Sequence, residues 1–125
     1  MTNPLTNLYL GWALLLCGAL SGAIIGQFFH RSDWLGGYDS FPRRLVRLGH
    51  ISFFGLGMIN ILFALSAQLF QTQGVAVNVA SVCFTLGAVT MPLCCFLSAW
   101  QMRTKFCFVV PVVSVMVGIS ALLVA

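Results

Sequence analysis

Four stretches without a single Lys, Arg, Asp or Glu make up most of this chain: residues 8–29, 48–70, 75–100 and 106–125. A helix needs about 20 apolar residues to cross the hydrocarbon core of a bilayer, and each stretch reaches that length. The expected fold is therefore all-α and integral to a membrane. Short connections place successive helices side by side, giving a four-transmembrane-helix bundle of two antiparallel hairpins. With 125 residues, 60% of them hydrophobic and only 6% charged, the chain leaves nothing for a separate extramembrane domain. One domain is expected to cover residues 1–125.

Charge then orients the chain. The six Lys and Arg residues fall in two groups, Arg31/Arg43/Arg44/Arg47 and Arg103/Lys105. Threading the chain four times across a membrane puts both groups, in loops 30–47 and 101–105, on one face. Cytoplasmic loops carry the excess of Lys and Arg, so that face is expected inside and both termini outside, in a bacterial-type cytoplasmic membrane. These six cations and Trp34 are the expected membrane-interface residues. The net charge of +4 meets the needs of orientation and of anionic headgroups, so the bilayer, and not nucleic acid, is the expected partner. No Lys or Arg precedes the first stretch, so the positive segment of a cleaved signal is missing and a retained helix is expected.

The first stretch carries Gly18, Gly22 and Gly26 at intervals of four, with Gly11 seven residues earlier. Such a line of small residues lets a second backbone approach closely. It is expected to pack against a neighbouring helix of the same bundle, with another subunit or a flat ligand such as a porphyrin as the alternative. The second helix is expected to start ahead of its apolar stretch, with Ser40 as N-cap and Pro42 in the first turn. Spanning 42–70 it would measure about 43 Å, longer than the roughly 30 Å core, so Arg43, Arg44 and Arg47 should stand among the headgroups. Cations at a helix N-terminus oppose the macrodipole, which calls for a nearby anion: Asp33, Asp39, lipid or ligand. Pro92 and Pro111 each remove a backbone hydrogen bond and favour kinks at similar depth in the third and fourth helices.

Candidate chemistry concentrates around loop 30–47. It holds or adjoins both histidines, both carboxylates and four of the six cations. His50 lies inside the second apolar stretch, and an ionisable group in a span is a functional candidate by default. Neutral imidazole can ligate haem iron. A haem b reading uses His50 with His30, and Arg43 or Arg47 on the propionates, with Gly49 and Gly57 leaving room for the ring. A quinone reading uses His50, Arg47, Asp33 and Trp34. A metal or small-solute transporter would rely on Cys94 and Cys95, near Cys107, or on the proline kinks. No catalytic set emerges, and the spans contain no carboxylate. The leading expectation is a non-catalytic accessory subunit or partner of a larger membrane complex, with electron transfer as the candidate setting and other membrane subunits or a second copy as partners. The haem- or quinone-binding protein stands as the alternative and the transporter third.

Overall fold

A computed structural model describes residues 3–71 and 73–125. Among them the structure is entirely helical, without a strand. Four α-helices, α1 (Pro4–Phe28), α2 (Phe41–Leu69), α3 (Val75–Trp100) and α4 (Val109–Leu123), follow one another in the chain. Two short 3-10 segments, Trp34–Gly36 and Met102–Phe108, lie in the first and third connections. By length and composition, Pro4–Phe28, Phe41–Leu69, Val75–Trp100 and Phe106–Leu123 can each cross a membrane.

Local chemistry explains where the helices begin. Helix α1 starts four residues before its apolar stretch because Asn3 caps it, accepting the Leu5 N–H at 3.0 Å, and Pro4 occupies its first turn. Helix α2 starts after Ser40, whose hydroxyl accepts the Arg43 N–H at 3.4 Å. The same hydroxyl donates to Leu35 O at 2.6 Å, so one serine ties the loop to the helix start. Pro111 does not kink a helix interior. The chain runs through a 3-10 segment as far as Phe108, and Pro111 falls in the first turn of α4, where its missing N–H has no partner to lose. Pro92, by contrast, sits inside α3.

The helices pack in chain order: α1 on α2, α2 on α3, and α3 on α4, with a smaller contact from α1 to α3. The inner pair buries 44% of each helix's most apolar window, against 17% for α1 and α4. Contacts between α1 and α2 ascend along one helix as they descend along the other: Gly11 meets Ile61 and Gly57, Gly18 meets Phe54, and Gly22 meets His50. The same reversal relates α3 to α4, where Phe84 meets Gly118 and Gly87 meets Val115. The core is built from Phe63 and Ala67 of α2 against Val77, Ala80 and Phe84 of α3, with Ala121 and Leu122 of α4 closing over it. The Phe63 and Phe84 rings stand 5.3 Å apart and tilted, the offset geometry aromatic pairs prefer.

Gly26 stands apart from the other glycines of α1. A Cβ there would meet nothing within 4 Å. At that end of the α1–α2 contact the guanidinium groups of Arg43 and Arg47 lie over the Phe29 ring, at 5.6 and 6.0 Å from its centroid.

Two substitutions separate contact from spacing. In Gly11→Ala the new methyl would sit 2.5 Å from Ile61 Cγ1 and 2.7 Å from the Gly57 carbonyl oxygen. Overpacking of that kind costs about 1–3 kcal/mol. Gly26→Ala should be neutral, or stabilising by up to about 1 kcal/mol through helix propensity. Thermal unfolding in detergent followed by circular dichroism checks both; equal effects at the two positions would contradict the packing described.

Candidate functional site

The loop joining α1 to α2 is organised around Arg43. Its side chain is only 1% exposed. The guanidinium donates from Nη1 to Arg31 O at 3.0 Å and from Nη2 to Phe29 O at 2.9 Å. It also lies over three rings, 4.1 Å from the Tyr38 centroid, 5.4 Å from Trp34 and 5.6 Å from Phe29. Carbonyls at a helix C-terminus lack intrahelical partners and carry the negative end of the macrodipole. The cation at the start of α2 thus avoids its own unfavourable dipole by reaching the end of α1. Arginine suits this position because its planar fork can serve two carbonyls while its faces stack on aromatics. Trp34 stacks on Phe28 at 5.6 Å and 15°, completing the cage. Leu35, Gly36 and Gly37 adopt positive φ in the turn that brings Tyr38 over the guanidinium.

Two turns along α2, His50 faces α1. Its Nδ1 is 3.0 Å from the Ser21 hydroxyl, which itself donates to Gly18 O at 3.0 Å. The ring packs on Gly22, where a Cβ would come within 2.6 Å of Cε1 and 3.2 Å of Nε2. Phe54 closes it edge-on at 5.4 Å. The space left by Gly57 is filled by the Gly11 carbonyl, Leu14 and Leu15, and that left by Gly49 by Cys95 and Phe96.

The remaining candidate residues are scattered over the surface of the same end. His30 is exposed just past α1, about 12 Å further along the axis than Gly22 at 1.5 Å per residue. His50 and His30 are therefore not brought together. Arg31 lies over Phe28 and Arg47 over Phe29, both exposed to the outside. Arg44 approaches Asp39 at 4.0 Å with both side chains exposed, a pairing worth little. Asp33 is exposed and makes no side-chain cap to the turn that follows it. Arg103 is exposed, and the side chain of Lys105 lies outside the described residues. Cys94 and Cys95 are buried in α3, with the Cys107 thiol against that of Cys94. Among the described residues, no group of three His, Cys, Asp or Glu side chains gathers as a metal site.

A second polar centre lies at the opposite end, where uncharged groups of the apolar stretches, Asn60 and Ser81, are joined by a residue from outside them. Asn7 of α1 is fully buried. Its amide donates to Asn60 Oδ1 at 2.8 Å and to Ser81 O at 3.2 Å, and its Oδ1 accepts the Ser81 hydroxyl at 2.6 Å. Asn60 donates in turn to Leu56 O at 2.9 Å and Phe84 O at 3.3 Å. Three helices are joined in this cluster, and every described buried side-chain polar atom has a partner. The signal that could have found it is the Asn3-Pro4 pair, a cap and first-turn signature that brings Asn7 inside the helix.

Arg43→Lys tests the cage. A lysine offers no fork for two carbonyls and no planar face for the rings, so the exchange should cost about 2 kcal/mol or more. Arg44→Gln should stay within about 0.5 kcal/mol, as for ordinary surface changes. Limited proteolysis of the 29–40 connection reads the same difference locally. Equal stability of the two variants would show that the buried guanidinium does not hold the loop.

Comparison with known protein families, curated proteins and solved structures finds no match to this chain.

Proposed function

We propose that this chain is a multi-pass membrane protein threaded as two antiparallel hairpins. The 29–40 and 101–108 connections face the cytoplasm and both ends of the chain lie on the other side. Its role in this reading is that of a non-catalytic accessory subunit or partner of a larger membrane assembly, with an electron-transfer complex as the leading setting. The observation that carries the reading is the use to which His50 is put. As the one histidine inside an apolar stretch, close to its start, it is the natural place for a ligand or a proton relay. It is instead paired with Ser21 and pressed on Gly22, within the contact between α1 and α2. Arg43 is likewise occupied with the carbonyls of its own chain.

Support for a partner comes from the outer face of α1. Tyr9, Trp12, Leu16, Leu20 and Ile24 recur at intervals of three and four and are all more than half exposed. That spacing forms a continuous apolar stripe along one side of a helix. In a membrane the stripe meets lipid or the helix of another subunit, and close van der Waals packing favours the latter wherever a complementary surface exists.

Purification in mild detergent followed by native mass spectrometry decides the matter. The reading expects a second membrane protein at fixed stoichiometry, released when Leu16 is changed to a bulkier Trp. A chain recovered only by itself, and unaffected by Leu16→Trp, would contradict it.

A further inference from the structure

Because α4 packs on α3 and not on the backbone of α2, the two flanking helices leave a groove between them. It has a volume of about 400 Å³ and is lined by Leu48, Gly55 and Ile59 of α2, Met91 of α3, and Pro111 and Val115 of α4. The only polar side chain on its wall, Ser52, donates to Gly49 O of its own helix at 2.7 Å. Nothing lies within 4 Å of the position a Cβ would take at Gly55, so the groove is open there. From Leu48 to Ile59 it runs about 16 Å along α2, roughly half of a 30 Å hydrocarbon core. It begins at the end of the molecule that carries the cations. Arg44 stands one turn beyond Leu48 on the same face of α2, exposed. Arg103 is exposed on the 3-10 segment that leads into α4 and its Pro111.

We propose that this groove holds one acyl chain of an anionic phospholipid, with the phosphate between Arg44 and Arg103. The inference rests on the membrane-spanning reading above. Three properties select this occupant. The walls are apolar along their whole length, the length matches one leaflet, and positive charge flanks only the mouth. A helix from another protein would run the full thickness of the membrane and would leave Arg103 without an anion and Arg44 with only its exposed 4.0 Å approach to Asp39. Guanidinium groups near the surface attract acidic lipid headgroups, whereas a zwitterionic headgroup gains little from them.

The test is native mass spectrometry of the full chain, released from nanodiscs containing equal amounts of phosphatidylglycerol and phosphatidylcholine with identical acyl chains. The proposal expects one retained phosphatidylglycerol. Arg44→Gln and Arg103→Gln should each lower the preference for it over phosphatidylcholine by roughly fivefold. Gly55→Leu should abolish retention of either lipid, because the position of its Cβ is open and the leucine would occupy the groove. Circular dichroism of that variant should show unchanged helix content. Equal retention of the two lipids by the unaltered chain, or a lipid still held by Gly55→Leu, would overturn the proposal. So would a dimer of this chain that Gly55→Leu dissociates. Extraction of membranes with alkaline carbonate keeps the two ideas apart. A chain released by carbonate defeats the membrane-spanning reading, whereas a retained chain that holds no lipid defeats only the assignment of the groove.

Discussion

A buried guanidinium is the constraint on which the loop end of this molecule depends. Arg43 carries charge into a site that is almost sealed, and such a group is tolerated only with good partners. It finds them in the carbonyls of Phe29 and Arg31, which would otherwise stand at the end of α1 with no donors. Each group relieves the other's difficulty. The aromatic rings of Phe29, Trp34 and Tyr38 cover the cation without competing for its protons. The end of α1 is thereby held to the start of α2, and the glycine positions further along can bring the two backbones together.

The same principle operates at the other end with neutral groups. Asn7, Asn60 and Ser81 bind one another across α1, α2 and α3. In an apolar medium such bonds replace the hydrophobic drive that would hold soluble helices together. Among the described residues, helix α4 shows no side-chain hydrogen bond to another helix like those of Asn7 and Asn60. It relies on small residues in contact with α3, notably Gly118 against Phe84 and Gly87 against Val115. That difference explains the lopsided arrangement: a polar-pinned set of α1, α2 and α3, and a fourth helix leaning on one side, with a groove between it and α2.

The apolar helices were legible in the sequence because length and absence of charge are properties of single segments. The start of α2 was legible for the same reason, since Ser40 and Pro42 act within one turn. Features that depend on a second segment were not. The spacing of Gly18, Gly22 and Gly26 is uniform, yet of the three only Gly18 and Gly22 meet α2, because contact depends on where the second helix runs. Pro111 looked like a kink because the 3-10 segment before α4 leaves no mark in the hydropathy. Asn7 lies one residue ahead of the first apolar stretch, so the hydropathy pattern does not include it. Around His50 the sequence draws attention to the loop end of the molecule. Its partner, however, is Ser21, a residue with nothing in its neighbourhood to set it apart, and Arg43 reaches backbone carbonyls, which no side-chain pattern can announce.

The central claim is that the residues resembling a ligand site are the ones that hold α1 on α2. The most direct measurement is the visible absorption spectrum of the purified chain stripped of partners, oxidised and then reduced with dithionite, for the unaltered protein and for His50→Ala. No Soret band is expected in either, with His50→Ala less stable because Ser21 and the hollow at Gly22 lose what fills them. A Soret band in the unaltered chain that disappears in His50→Ala would contradict the central claim, and would make the imidazole an iron ligand.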